Sequence, residues 1–141
     1  MLRSIPTALA IAIVFGAPAL AQTAPDAATP EAVVRAYAEA ANRHDLEGFL
    51  ALYAPGIRKY RFPGEFRGEG VPRYREAYAK SFAAYPDLKV EIVQLIALGD
   101  KVVSHDRVTG LADGRAADEI TVYEVRDGRI VNMVAVERII R

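Results

Sequence analysis

The 141 residues contain no cysteine, so neither a disulfide nor a sulfur-linked lipid anchor can form. An oxidising compartment is allowed but not exploited. Histidine is almost as scarce. His44 and His105 lie far apart, and with no cysteine beside them they give no metal-ligand spacing. No metal and no cofactor is expected. An excess of charge of one sign is also missing, with 18 basic against 18 acidic residues. That balance leaves no electrostatic footprint for nucleic acid. No glycine-rich phosphate loop follows a strand, and there is no internal repeat.

Long apolar runs occur once, at the start. Arg3 supplies a positive charge, Ala8 to Leu20 is almost wholly apolar, and Ala19-Leu20-Ala21 forms an A-x-A cleavage site. The expectation is a signal peptide over 1–21 and a periplasmic or secreted protein with no membrane anchor after cleavage. A retained anchor is the alternative, but a spanning helix needs roughly 20 apolar residues and Pro18 interrupts this run. Residues 22–28 are small and polar and read as a flexible leader. The remainder, 29–141, is enough for one domain that buries about two-thirds of its unfolded surface.

What is present in that domain is a change of period. Thr29 is a good N-cap, Pro30 suits the first helical position, and Val33, Val34, Tyr37, Ala40, Ala41 and His44 repeat at helical spacing. Glu31, Arg35, Glu39 and Arg43 alternate in sign four apart and mark the solvent face. Asn42 to Asp45 breaks the helix. His44 is read as structural in that break, and Asp45 caps a second helix carrying Phe49, Leu50 and Tyr53, stopped by Pro55-Gly56. Ile57 to Phe62 reads as a strand, and 63–70 as a loop. A third helix carries Tyr74, Tyr78, Phe82 and Tyr85 and ends at Pro86.

From Leu88 the period is two. Turns at Gly99-Asp100 and Asp127-Gly128 and a loop over 112–118 divide four strands, of which Lys101–Leu111, Glu119–Arg126 and Arg129–Ile140 are the last three. The order α-α-β-α-β-β-β-β gives an α+β fold: a curved antiparallel sheet wrapped around the N-terminal helices, with an apolar pocket inside.

The pattern V-V-x-x-Y-x-x-A-x-N-x-x-D-L-x-x-x-L-x-L-Y-A, the aromatic third helix, and Y-E-V-R-D-G-R-I-V resemble the SnoaL-like group of the nuclear transport factor 2 / ketosteroid isomerase superfamily. The resemblance spans 29–141 and implies a cone with an apolar cavity open at one end. Such a fold hosts isomerases, cyclases, hydrolases, dehydratases and pure binding domains. Against the ketosteroid isomerases, Tyr37 stands where a tyrosine donates to the oxyanion. The general-base aspartate is replaced by Arg61 or Phe62, and the second oxyanion donor by Thr121. Ketosteroid isomerase activity is therefore expected to be absent. Against limonene epoxide hydrolase, Arg107-Val108-Thr109 and Ala135 break the required constellation, with Glu137 one inward step further on.

That alignment turns Val103, His105, Arg107 and Thr109 inward on one strand. A slip of one would put Ser104 and Asp106 inside instead. The candidate catalytic set is His105 and Glu137 to move protons, with Tyr37 and Arg107 to hold an oxyanion. Each has a structural alternative: His105 bonded to a neighbour or in an interface, Glu137 in a salt bridge with Arg107, Tyr37 packed on the sheet. Tyr60, Phe62, Tyr78, Phe82, Thr121, Tyr123 and Met133 are expected to line the pocket. Three functions follow: a cofactor-free acid–base enzyme on a small hydrophobic oxygenated molecule, a carrier of an apolar ligand, and a homodimerisation module. The third would pair outer sheet faces through Val102, Val108, Val134 and Val136.

Overall fold

A computed structural model of the chain describes residues 28–141. The signal-peptide assignment over 1–21, and the leader over 22–28 except its last residue, lie outside the described residues. Helix α1 runs Pro30–Asn42 and α2 Leu46–Ala51. Strand β1 covers Tyr53–Arg61, β2 Glu65–Glu69, and helix α3 Val71–Ala84. The chain continues with β3 (Lys89–Leu98), β4 (Lys101–Thr109), a 3-10 turn at Ala112–Gly114, β5 (Ala117–Arg126) and β6 (Arg129–Ile140).

Helix α1 starts where its chemistry dictates. The Thr29 hydroxyl accepts from the Ala32 amide at 3.2 Å, and Arg35 reaches back to Glu31 at 2.7 Å. Its buried stripe is Val33, Val34, Tyr37, Ala38, Ala40 and Ala41. The three alanines let the backbone settle close against the concave side of the sheet. At the corner His44 takes a left-handed φ of 53°, its ring bonds the Tyr85 carbonyl oxygen at 3.0 Å, and Asp45 accepts from the Gly48 amide at 2.9 Å. Asn42 clasps the edge strand: its side chain donates to the Val90 carbonyl at 2.9 Å and accepts from the Val90 amide at 2.6 Å.

The sheet order is β2-β1-β6-β5-β4-β3. Strands β3 to β6 form the expected antiparallel meander, but β1 lies parallel to β6, so the sheet is mixed. The expected loop over 63–70 contains β2, which pairs with β1 across a bulge. The second helix ends before Tyr53. That residue opens β1 instead, and Pro55-Gly56 falls where the β1–β6 register shifts. Proline and glycine are tolerated there because a bulge leaves ladder positions unpaired.

The core is Phe49, Leu50, Tyr53, Ile57, Val102, Val125 and Ile130 beneath the α1 stripe. Burying each such side chain is worth about 1.5–3 kcal/mol. Near the cavity's flank, Gly110 has φ of 72°, and a Cβ there would meet the Asp87 carbonyl oxygen at 2.1 Å. Glycine therefore lets the end of β4 touch the segment after α3, which brings Leu88 and Leu111 together on the cavity wall. Among the described residues no helix is long and apolar enough to cross a membrane.

Candidate active site

Between α1, α3 and the concave sheet face lies a half-open cavity of about 390 Å³. Its walls are largely apolar, from Val34, Phe49, Phe82, Val90, Ile92 and Met133. Two polar groups interrupt them.

The first is a cross-strand row on the sheet. Ile92, Asp106, Glu119 and Arg138 stand opposite one another on β3, β4, β5 and β6. Directly opposed side chains in an antiparallel pair have Cβ atoms about 4.5–5.5 Å apart, so Asp106 and Glu119 are close like charges. Asp106 is 6% exposed, and its hydrogen-bond partner is the hydroxyl of fully buried Ser104, which donates to Oδ1. Burial pushes the Asp106 carboxyl above the ordinary aspartate value, with the Ser104 hydroxyl and the nearby His105 pulling the other way. Burial also raises Glu119. Arg138, 3.0 Å from its Oε1, pulls it down, and Asp106 adds to the rise.

The second group is a tyrosine–lysine cluster. The Tyr37 hydroxyl lies 2.6 Å from that of Tyr53 and 3.3 Å from that of Tyr78. Lys59 Nζ donates to Tyr53 Oη at 2.6 Å and to Tyr78 Oη at 2.7 Å. It also sits 4.3–4.6 Å from the ring centroids of Tyr53, Tyr74 and Tyr78. Burial lifts Tyr37 and Tyr53 well above the ordinary phenol value, helped by their phenolic neighbours, so both remain proton donors at neutral pH. Burial pushes Tyr78 up too, but the Lys59 ammonium and the hydrogen bonds together outweigh it and leave Tyr78 below the ordinary value. Tyr123, buried on β5, is raised well above it by burial first and by Asp106 second.

Of the residues expected in the pocket, Tyr37, Tyr60, Tyr78, Phe82, Thr121, Tyr123 and Met133 line this cavity. Tyr60 does so from β1, where it packs on Phe66 of the edge strand β2 at 5.6 Å between ring centroids. Phe62 does not: it lies beyond the end of β1 and is 62% exposed. His105 and Arg107 are also outside. β4 buries Val102, Ser104, Asp106 and Val108, which is the alternative register. That register hides one ionisable side chain, where the other would hide two. Glu137 is outside for a different reason. Thr121 pairs with Ala135 but Ile120 pairs with Glu137, so Val136 is an extra residue in β6. The bulge reverses the alternation, turning Arg138 inward and Glu137 outward. With Ile120 and Ile139 these displaced residues border a shallow hollow on the outer face, where Arg107 Nε lies 3.4 Å and His105 Nε2 3.8 Å from Asp118 Oδ1. The same register removes Val102 and Val108 from the outer face, since both are buried. Its apolar row is Ile96, Val103, Val122 and Val134.

Sequence reasoning passed over Lys59, Glu119 and Arg138. Glu119 lies two residues before Thr121 and shares its face, so the strand period alone points to it. Lys59 follows Ile57 by the same spacing. Arg138 needs the bulge. Among the described residues, no three His, Cys, Asp or Glu are grouped to hold a metal ion.

The family model of the SnoaL-like domain matches residues 34–133. No curated protein matches the sequence. Among solved structures, a cystatin-fold protein from Novosphingobium aromaticivorans superposes with a TM-score of 0.70 at 20% identity, covering 78% of this chain and 99% of its own. IdmH from Streptomyces antibioticus, described as a candidate polyketide cyclase, gives 0.66 at 22% identity, with 80% and 92% covered. A protein from Kribbella flavida described as a candidate ketosteroid isomerase gives 0.63 at 25% identity, with 76% of each chain covered.

Proposed function

The chain belongs to the SnoaL-like family, and we propose that within it this protein is a cofactor-independent acid–base enzyme acting on a hydrophobic, oxygenated small molecule. The observation that carries this reading is the Asp106–Glu119 pair inside an apolar hollow that also holds tyrosine hydroxyls. Asp106 is the proton-transfer group. It has no cation of its own, whereas Glu119 is tied to Arg138. A carboxyl raised by burial matches the affinity needed to take a proton from carbon and return it elsewhere near neutral pH. Tyr37 and Tyr78 supply donors for the oxyanion that forms as the proton leaves. The cavity volume admits a molecule of two or three rings, and its apolar walls exclude water from the charge that develops. Isomerisation, cyclisation and dehydration all use this set.

In this reading Asp106 and Glu119, not the outer-face His105 and Glu137, carry the acid–base role, and ketosteroid isomerase activity is not proposed. Export through the N-terminal apolar segment, and pairing of two cones through the Ile96–Val134 row, accompany the proposal.

The test needs no natural substrate. Bicyclic and aromatic ketones are incubated with the protein in deuterated buffer, and exchange at the carbon beside the carbonyl is followed by NMR. Wild-type protein is expected to accelerate exchange, and Asp106→Asn to lose about 100-fold or more of that acceleration. Ketones that bind with no acceleration by the wild type would favour the carrier reading.

A further inference from the structure

Lys59 is the charged side chain that acid–base chemistry at Asp106 leaves unused. It projects from β1 into the cavity, where its amine is ringed by Tyr53, Tyr74 and Tyr78. Its surroundings differ from those of the other lysines. Lys80 pairs with Glu76, Lys101 with Asp100 and Glu124, and Lys89 reaches an exposed backbone carbonyl at Asn42. Lys59 has only phenol oxygens as partners, and no carboxylate lies within salt-bridge distance of it among the described residues.

An amine placed this way has no carboxylate to hold it as an ammonium ion. The rings and the two hydroxyls stabilise the cation only partly, and removal from water opposes it. In the neutral form, two N–H groups still satisfy Tyr53 and Tyr78, and the nitrogen lone pair is left unengaged. That is the geometry of an amine nucleophile. We propose that Lys59 is a carbonyl-trapping amine that forms an imine with apolar aldehydes or ketones entering the cavity.

The step balances without any added redox partner. The Lys59 nitrogen lone pair forms a bond to the carbonyl carbon, and the carbonyl π pair moves to oxygen, which takes a proton from the Tyr78 hydroxyl. The nitrogen then gives up a proton that restores the phenol. A second proton from nitrogen leaves with the hydroxyl as water, and the carbon–nitrogen double bond closes. The sum is amine plus carbonyl giving imine plus water. Burial depresses the Lys59 ammonium below the ordinary lysine value, with Tyr78 acting in the opposite direction.

This inference stands apart from proton abstraction at Asp106, and a probe without an abstractable proton keeps the two distinct. 2-Naphthaldehyde is apolar and has no hydrogen on the carbon beside its carbonyl. The full-length protein is incubated with it at neutral pH with sodium cyanoborohydride, which reduces an imine to a stable amine. Peptide mapping by mass spectrometry then locates the adduct, a gain of one aldehyde less one oxygen atom. Lys59 is expected to be modified about tenfold or more faster than Lys80, Lys89 or Lys101. Asp106→Asn is expected to keep that preference, and Lys59→Arg to lose this adduct alone. Modification of the surface lysines at equal or higher rates, with Lys59 spared, overturns the proposal. The wild-type map decides it even where Lys59→Arg fails to fold.

Discussion

At the scale of single residues, the site turns on carboxylates that burial makes hard to ionise. Asp106 and Glu119 both carry folded-state affinities for protons above their ordinary values. The folded protein then binds more protons than the unfolded chain between the ordinary and the raised values. This contribution to stability is complete below the ordinary carboxylate range and is lost as pH rises through the raised value. At neutral pH an ionised Asp106 therefore weighs against folding. Asp106→Asn, whose amide oxygen can still accept from Ser104, should leave the melting temperature at neutral pH unchanged or raise it. The same variant should abolish most proton exchange; differential scanning calorimetry beside the NMR assay checks both. Glu137→Gln and His105→Ala, on the outer face, should leave exchange rates within about twofold of wild type. Tyr37, Tyr78, Thr121 and Tyr123 were legible because aromatic and small polar side chains at helical or strand spacing mark an inner face. His105 and Glu137 were placed inward by alignment and unbroken alternation, and the actual register of β4 and the extra residue in β6 turn both outward. Ser104 and Asp106 were within reach once a one-residue slip was weighed.

At the scale of elements, caps and clasps hold the cavity open. Asn42 satisfies both the amide and the carbonyl of Val90 on an edge strand that has only β4 as a sheet partner. Asn42→Ala leaves both groups without that partner and should cost about 1–3 kcal/mol in urea unfolding. Asp45→Ala removes the α2 cap and should cost about 1 kcal/mol by the same measurement. The helices were readable from their stripes and caps, and β3 to β6 from alternation and turns. Two features were not. β2 alternates over only five residues, with Gly68 inside and glycines just beyond both ends, too short a run to read as a strand, and it exists because β1 offers it a partner. The β6 bulge has no local signature, since Val136 looks like any other strand valine. The register between two strands decides it.

At the scale of the whole molecule, the tyrosines bind the fold to the lower side of the alkaline range. Tyr37, Tyr53 and Tyr123 hold their protons well above the ordinary phenol value, and Tyr78 alone goes the other way. The three raised groups stabilise the protein fully below about pH 10, and the contribution falls as pH rises beyond it. The urea midpoint should therefore hold up to about pH 10 and fall above it, in step with tyrosinate absorbance in the ultraviolet. The cone itself was legible because a long twisted meander must bury one face and amphipathic helices were there to cover it. The parallel β1–β6 pair was not, because nothing in either strand states which neighbour it will find.

That pair has a consequence for how the chain assembles. β6 follows every other described element in the sequence, yet it lies between β1 and β5. Until it is in place, the β1–β2 hairpin and the β3–β5 ribbon share no seam of hydrogen bonds. Synthesis therefore yields two half-sheets waiting for a keystone, and such distant pairings slow the search for the native state. A ribosome stalled just past Asp127 would display a chain that has all three helices but no closed hollow, and folding should begin in earnest only as the final ribbon emerges.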